Sequence, residues 1–224
     1  MERLECNAIL FDLDGTLVDS TLCIEQHWRR WANQHGLDVE EIFKISHGRP
    51  AIETMRIMAP HLNAEEEARQ FTQSEAVNLE GVVEVAGAAS LVASLPPESW
   101  AIVTSGNYAI ATNRLRHVAL PIPQILITTD DVSHYKPHPE GYLKAAQSLG
   151  VAPKQCVVIE DAPVGIQAAR AAHMKAIAIA TTHPATALEQ ADLCICALTD
   201  ISVRQVGQSS SSTTNLEILV AANT

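Results

Sequence analysis

The chain has 224 residues, of which 47% are hydrophobic and 4% aromatic, and its formal net charge at neutral pH is −11. Its length and aliphatic composition favour helices packed on a buried parallel sheet over an all-β sandwich. The acidic balance argues against a nucleic-acid partner, and no apolar run or leader-like N-terminus indicates a membrane segment. We therefore expect a cytoplasmic protein, a monomer or weak dimer, that binds a small molecule.

Short apolar runs recur along the chain and predict the strands of a buried sheet. These runs cover residues 8–11, 101–104, 125–128, 157–159 and 176–180. Helical patterns at 109–118, 140–149 and 164–172 alternate with the later runs. Because strands that alternate with helices form right-handed crossovers, we predict an α/β fold with a doubly wound, Rossmann-like parallel sheet.

The interval between the first two predicted strands, almost ninety residues long, contains only helical patterns. The patterns cover 21–35, 50–59 and 65–79, and Asn63 stands where the third helix needs an N-cap. A crossover between neighbouring strands needs only about a dozen residues. The interval therefore predicts an inserted helical subdomain.

We place this inserted subdomain at residues 18–83 and the α/β core at residues 1–17 and 84–206. Residues 207–224 form a predicted C-terminal tail with a Ser/Thr run at 209–214, which has the composition of a linker. The sequence leaves open whether the residues after this run dock as a last short element or stay loose.

Two acidic residues end the first predicted strand. Asp12 and Asp14 stand at positions i and i+2, which share one face of a strand, so the two anions repel unless a cation lies beside them. Polar residues also follow the other predicted strands: Thr104, Lys136, Glu160 and Asp161. An open α/β sheet binds ligands outside the carboxyl ends of its strands, so we expect these groups to gather there. These side chains offer oxygen donors and no convincing set of His or Cys ligands, which favours magnesium as the metal. We expect a gap the size of a phosphate group beside the metal.

Four stretches, in this order, resemble the motifs of the haloacid dehalogenase superfamily of phosphohydrolases. They are DLDGT at 12–16, TS at 104–105, KPHP at 136–139 and EDAPVGIQAARAA at 160–172. The resemblance covers about residues 8–198. The insertion after the first motif is similar to the helical C1-type cap of one branch of the superfamily. The resemblance implies a magnesium-dependent phosphoric monoester hydrolase.

The resemblance also implies a role for each catalytic residue. Asp12 is then the nucleophile that attacks phosphorus and forms an aspartyl-phosphate. Asp14 is then the general acid that protonates the leaving oxygen, and afterwards the base that activates water. Thr104 and Lys136 then hold the phosphoryl oxygens.

The same resemblance implies the ligands of the magnesium ion. They are the carboxylates of Asp12 and Asp161, the backbone carbonyl of Asp14, and Glu160 either directly or through water. A cation at this place lets a carboxylate approach a phosphate dianion, because it neutralises the repulsion between them.

The stretch ISHGRPAIETM at 45–55 and the core motifs are most similar to the sugar- and polyol-phosphate phosphatases. That group includes the 2-deoxyglucose-6-phosphatases and the glycerol-phosphatases, so a small phosphate monoester is the implied partner. His47 and Arg49 lie in a predicted helix–helix connection and are the candidate cap contacts to the substrate. Ser105, Gly106 and Asn107 are the candidate contacts from the core.

Three alternatives remain open at this point. A β-phosphoglucomutase or a phosphoglycolate phosphatase is similar in fold and motifs, and a catalytically silent binding module is a third reading. The intact set of motif residues argues against the silent module. The motifs alone do not separate hydrolysis of the aspartyl-phosphate from transfer of its phosphate back to a sugar.

Two positions depart from the pattern that the resemblance implies. Ala162 stands where a Ser is frequent, and His173 stands where a Gly often ends the helix of the last motif. A residue other than Gly in a left-handed C-cap costs roughly 1 kcal/mol. We expect a small effect on stability and none on catalysis.

Overall fold

The chain alternates between short strands and helices, and the computed structural model describes residues 2–208 and 214–221. The strands are β1 (Glu2–Cys6), β2 (Ala8–Phe11), β3 (Val18–Asp19), β4 (Val83–Glu84), β5 (Trp100–Val103), β6 (Leu126–Ile127), β7 (Cys156–Glu160), β8 (Lys175–Ile179), β9 (Leu193–Ile195), β10 (Ile201–Gln208) and β11 (Thr214–Val220). The helices are α1 (Thr21–His35), α2 (Val39–Ser46), α3 (Ala51–Met58), α4 (Ala64–Val77), α5 (Ala88–Ala93), α6 (Tyr108–His117), α7 (Glu140–Leu149) and α8 (Pro163–Ala171). No helix within these two ranges is long and apolar enough to cross a membrane.

A six-stranded parallel sheet, in the order β6-β5-β2-β7-β8-β9, forms the centre of the protein. All five predicted strands belong to it, and β9 at the edge is an addition. Ile9 and Phe11 of β2 pack with α5 and α6 on one face, while Ala8 and Leu10 pack with α7 and α8 on the other. Burial on both faces explains why the strands are continuous apolar runs in the sequence. The predicted doubly wound α/β fold is confirmed.

The three predicted core helices lie at or within one residue of their predicted positions, whereas α5 was not predicted. Helix α7 has the predicted bounds, and α6 and α8 each begin and end one residue earlier than predicted. Pro163 is the first residue of α8. The N–H at this position has no partner within a helix, so a proline there loses no hydrogen bond. His173, two residues after α8, has a φ of 60°, the left-handed conformation that a Gly usually adopts.

Helices α1 to α4 form the inserted subdomain, which we call the cap. It has an apolar cluster of its own that includes Trp28, Trp31, Ile42, Met55 and Phe71. Asn63 caps α4 as predicted, because its side chain accepts a hydrogen bond from the Glu66 N–H at 3.2 Å. Helix α2 was not predicted, and it supplies Ile42 to the cluster.

The chain enters and leaves the cap through the paired strands β3 and β4. They are antiparallel, with Val18 opposite Glu84 and Asp19 opposite Val83. The Val85 N–H continues the pairing and donates to the Leu17 carbonyl at 3.0 Å. The boundaries proposed for the cap, residues 18 and 83, fall in this pair of strands.

A second, antiparallel sheet joins the two ends of the chain, in the order β1-β11-β10. The sequence did not predict β1 and left β11 open. Leu216, Ile218 and Val220 of β11 are buried in the larger core cluster, so the described part of the predicted tail packs against the core. Glu217 is also buried, and it forms an ion pair with an arginine of each neighbouring strand. The predicted linker at 209–214 lies, apart from its last residue, outside the described residues.

Candidate active site

The loop after β2 places Asp12 and Asp14 at the carboxyl end of a central strand. Strand β2 ends at Phe11, and Gly15 in the following turn has a φ of +88°. A side chain at Gly15 would also collide with the carboxylate of Asp161, so both the backbone conformation and the close approach require glycine. Because β2 ends at Phe11, the two aspartates follow the strand and do not share one of its faces, as their spacing had suggested. Both line one cavity.

Lys136 connects Asp12 to a second buried carboxylate. Its ammonium donates to Asp12 Oδ1 and, at 2.7 Å, to Glu160 Oε1. Glu160 is fully buried, and it also accepts from Tyr142 Oη at 3.3 Å and from the Ala162 N–H at 2.8 Å. Both oxygens of Glu160 thus have protein donors, and the charge of Lys136 lies between two carboxylates.

The buried carboxylates outnumber the cation beside them. Burial raises the pKa of Asp12 from 3.8 to about 8, an effect that Lys136 opposes and Glu160 increases. Burial, with Glu160 and Asp12 adding to it, also raises the pKa of Asp161 well above its usual range. Burial lowers the pKa of Lys136, but Asp12 and Glu160 outweigh it and hold this pKa well above the ordinary value. The site is therefore short of positive charge.

A group of carboxylate oxygens at this place fits a divalent cation. Oxygens of Asp12, Glu160 and Asp161 all lie within 4.8 Å of one another. Asp161 also accepts hydrogen bonds from the hydroxyls of Thr16, at 3.4 Å, and Thr182. Hard oxygen donors that lack a compensating charge suit Mg²⁺ better than a softer metal. The residues present therefore fit the metal that the sequence implies.

Asp14 contacts donors that the sequence did not connect to it. Ser20 Oγ donates to Asp14 Oδ1 at 2.7 Å, and Arg114 Nη1 donates to the same oxygen at 2.6 Å. Arg114 Nη2 donates to Glu75 Oε1 of the cap, also at 2.6 Å. One guanidinium therefore joins the candidate acid/base to a carboxylate of the cap.

The candidate core contacts to substrate lie in the loop between β5 and α6. Thr104 is buried, and its hydroxyl accepts from the Gly106 N–H at 3.0 Å. Asn107 is the N-cap of α6, and its side chain accepts from a backbone N–H of the first turn at 2.9 Å. Ser105 donates to the carbonyl oxygen of Gly48 in the cap at 2.8 Å. All four loop residues, 104–107, line the cavity.

The connection between α2 and α3 brings His47 and Arg49 to the core. The His47 ring packs edge-on against His183, with ring centroids 5.4 Å apart. Gly48 has a φ of +73° and lies so close to Val164 that a Cβ would approach its side chain to 2.7 Å. Arg49 lines the cavity, and within the described part of the chain it has no ion-pair partner. His47 thus packs on the core, whereas the Arg49 guanidinium is available to a ligand.

A cavity of about 280 Å³ lies between the cap and the carboxyl ends of the strands. The cap lines it with both apolar and polar side chains: Ile24, Trp28, Ile52, Phe71, Arg49, Arg69, Thr72 and Glu75. The predicted site residues line it too, except Lys136, which contacts Asp12, and Glu160, which contacts Lys136. The cavity therefore offers a buried catalytic end and a mixed wall that suits a small molecule with hydroxyl groups.

The fold and this arrangement of side chains match a known family. A family model described as haloacid dehalogenase-like hydrolase matches residues 9–179. The chain belongs to the haloacid dehalogenase-like hydrolases. The resemblance that the four motifs indicated is confirmed.

Similar proteins of this family have named activities. The chain is 39% identical over 205 residues to hexitol phosphatase A of Escherichia coli (strain K12), covering 89% of this chain and 95% of that protein. It is 35% identical over 227 residues to 2-deoxyglucose-6-phosphate phosphatase 2 of Saccharomyces cerevisiae, covering 91% and 92%. The fold is also similar to the crystal structure of a hydrolase from Pseudomonas syringae, with a TM-score of 0.76, 27% identity, and coverage of 84% of this chain and 92% of that one.

Proposed function

We propose that this protein is a magnesium-dependent phosphatase that hydrolyses phosphate monoesters of small sugars or polyols through an aspartyl-phosphate on Asp12. The observation that carries the proposal is the contact of Lys136 with Asp12, beside a buried carboxylate group at one end of the cavity. The names of the similar proteins, a hexitol phosphatase and a 2-deoxyglucose-6-phosphate phosphatase, support the substrate class.

In the first step, a carboxylate oxygen of Asp12 attacks phosphorus, and the bond from phosphorus to the leaving oxygen breaks. Lys136 keeps its proton, so its charge compensates the negative charge of the nucleophile and the phosphoryl group. Thr104, at the end of the adjacent strand, donates its hydroxyl hydrogen to a phosphoryl oxygen. Asp14 protonates the leaving oxygen, because the alkoxide of a sugar or polyol leaves slowly without a proton.

In the second step, water attacks the phosphorus of the aspartyl-phosphate, and the bond from phosphorus to Asp12 breaks. Asp14 has become a carboxylate in the first step, and it now takes the proton of this water. Inorganic phosphate leaves, and Asp12 returns to the free carboxylate. One residue serves both steps because the proton it gives to the leaving group is replaced from the water.

Asp12 and Asp161, with the backbone carbonyl of Asp14, are the groups that we expect to hold Mg²⁺. Phosphatases of this superfamily generally use that ion. When bound, it supplies the positive charge that the buried carboxylates lack. Because both oxygens of Glu160 accept hydrogen bonds from protein donors, we assign Glu160 to holding Lys136 in place instead of direct coordination.

The substrate partner that we propose is a small molecule alone. The cavity of about 280 Å³ is close to the lower end of ligand pockets and is roofed by the cap, which suits a sugar or polyol phosphate better than a nucleic acid. Arg49 and the loop at 104–107 are the proposed contacts to its hydroxyl and phosphoryl groups. A monomeric or weakly dimeric state and a cytoplasmic location stay predictions.

A panel of phosphate monoesters, assayed for released inorganic phosphate, tests the proposal. We expect turnover of hexitol or hexose phosphates with Mg²⁺, none in EDTA, and recovery when Mg²⁺ is added back. Asp12→Asn has the same shape and should be folded but inactive. After acid quenching, mass spectrometry should find phosphate on the wild-type peptide that contains Asp12. Full activity in EDTA, or phosphate on a Ser, Thr or His peptide, would contradict the proposal.

The same panel separates the alternatives. Phosphoglycolate as the best substrate would indicate a phosphoglycolate phosphatase. A β-phosphoglucomutase would isomerise glucose 1-phosphate in the presence of a bisphosphate primer, without net release of phosphate. A silent binding module would leave even p-nitrophenyl phosphate intact at every metal concentration.

A further inference from the structure

Arg114 is a buried cation that the two proposed steps do not use. It lies in α6 of the core and is 1% exposed. Its Nη1 donates to Asp14 Oδ1 and its Nη2 to Glu75 Oε1, both at 2.6 Å. Glu75 belongs to α4 of the cap, and next to it Asn113 Nδ2 of α6 donates to the Ala76 carbonyl at 2.9 Å. The three charged side chains therefore span the contact between the cap and the core.

The burial of Arg114 makes its two ion pairs depend on each other. Burial lowers the pKa of its guanidinium, but Asp14 and Glu75 outweigh this effect, so the pKa is raised. The buried Nε–H has no acceptor within the described ranges, so the two carboxylates are the partners that compensate the charge. Removing one member of a buried ion group leaves the others without compensation. Each of these side chains thus holds the other two in place.

The hydrogen bonds of Asp14 distinguish its two oxygens. Oδ1 accepts from both Ser20 and Arg114. Oδ2 has no hydrogen-bond donor in the described part of the protein, and Asp14 lines the cavity. A carboxylate that is fixed through one oxygen presents the other in a defined direction. Oδ2 is therefore the oxygen that can exchange a proton with the leaving group and with water.

We propose that Arg114 is a positioning residue, which holds the acid/base Asp14 through Oδ1, and that Glu75 makes this positioning depend on the docked cap. The inference rests on the proposed function of the same site. With α4 docked on α6, the guanidinium is fixed from both sides. When α4 separates from α6, Arg114 loses Glu75, and Asp14 loses the fixed direction of Oδ2. Proton transfer is therefore fast only under a docked cap.

Leaving groups of different acidity test this positioning. Arg114→Lys keeps the charge but lacks the planar fork that reaches both carboxylates. For the best sugar or polyol phosphate, we expect kcat to fall about tenfold or more while KM changes less than about twofold, since only proton transfer is impaired. With p-nitrophenyl phosphate, the leaving group needs little protonation. Its burst of p-nitrophenol should therefore fall less than about threefold, and phosphoenzyme should accumulate because its hydrolysis needs Asp14.

A second variant and a matched control accompany this measurement. Glu75→Gln keeps the shape and the acceptor oxygen but removes the charge. We therefore expect the same pattern of kinetic changes as for Arg114→Lys, with a smaller fall in kcat. Arg116→Lys changes an exposed arginine two residues further along α6 and should behave as wild type. Thermal melting followed by circular dichroism measures the folded fraction of each variant, and rates are expressed per folded enzyme.

An equal loss in kcat for the sugar or polyol phosphate and in the rate of the p-nitrophenol burst, or a loss that appears in KM alone, would overturn the positioning role of Arg114. If Arg114→Lys does not fold, Glu75→Gln decides the matter by the same criteria, since it leaves the guanidinium in place. Wild-type rates for Glu75→Gln would overturn the dependence on the cap. If the wild-type enzyme forms no phosphoenzyme on Asp12, the proposed function fails and the positioning role with it. That failure is distinguishable because it needs no variant.

Discussion

Without Mg²⁺, the protein should lose stability as the pH rises, because of Asp12. Burial raises the pKa of this carboxyl in the folded state from 3.8 to about 8, against the opposing effect of Lys136. Between these two values the folded state holds a proton that the unfolded state has released. The free energy of unfolding therefore falls with rising pH. The contribution of Asp12 is complete below about pH 4 and is lost progressively up to about pH 8.

The size of this loss of stability follows from the pH interval between the unfolded-state and folded-state pKa values of Asp12. Each pH unit inside this interval costs about 1.4 kcal/mol. From pH 5 to pH 7 the loss is about 3 kcal/mol, which lowers Tm by about 6–12 °C for a chain of this size. Asp12→Asn removes the titrating group and keeps an oxygen that accepts from Lys136, so it should lack this part of the pH dependence. Mg²⁺ favours the ionised carboxyl and should abolish most of the loss in wild type.

Thermal unfolding of wild type and Asp12→Asn at pH 5, 6 and 7, in EDTA and then in Mg²⁺, measures the effect. The relevant quantity is the difference in stability between the two proteins, which measures the titration of Asp12 together with its effect on the pKa of the neighbouring Asp161. We expect this difference in EDTA to grow in favour of Asp12→Asn by about 3 kcal/mol from pH 5 to pH 7. A difference that stays constant, or that grows in favour of wild type, would refute the reasoning.

The remaining predictions concern catalysis, specificity and one backbone position. Asp14→Asn should form phosphoenzyme from p-nitrophenyl phosphate and fail to hydrolyse it, which acid-quenched mass spectrometry detects; absence of the adduct would remove Asp14 as the base. Arg49→Ala should lower kcat/KM for a sugar phosphate about tenfold or more and barely change p-nitrophenyl phosphate, whereas Lys136→Ala should impair both in parallel assays. Equal losses for Arg49→Ala would place its guanidinium on the phosphate or in cap closure. His173→Gly should raise the free energy of unfolding in urea by about 1 kcal/mol, because φ is 60° there; no gain would mean that this conformation is not strained.

The central sheet could be predicted because its strands are buried on both faces. A run such as 157–159 shows no polar alternation, and a helical pattern follows it at once, so the strand–helix alternation is visible in the sequence. The rule that ligands bind at the carboxyl ends of parallel strands then placed Asp12, Lys136 and Asp161 together. These residues do lie together, although nothing local in the sequence joins them.

Helix α2 and the terminal sheet are among the parts of the fold that escaped prediction. Helix α2 has a local signal that could have indicated it, since Asp38 caps it by accepting from the Glu40 N–H at 2.9 Å. The terminal sheet depends on pairing between distant parts of the chain. Glu2 pairs with Val220 at the other end of the chain, and such a pairing leaves no pattern near either residue.

Arg114 shows why the surroundings of the acid/base could not be predicted from the motifs. Its helix was predicted at 109–118, and Ile110 lies on the buried face of that helix. Arg114 is four residues further on, hence on the same face, where an arginine is almost never found unless it is paired. The sequence therefore contained a sign that this helix meets a carboxylate. It could not show which one, because Glu75 and Asp14 are 39 and 100 residues away. In the proposed arrangement, closing the cap over a substrate and fixing its proton donor are one event, because the same guanidinium takes part in both.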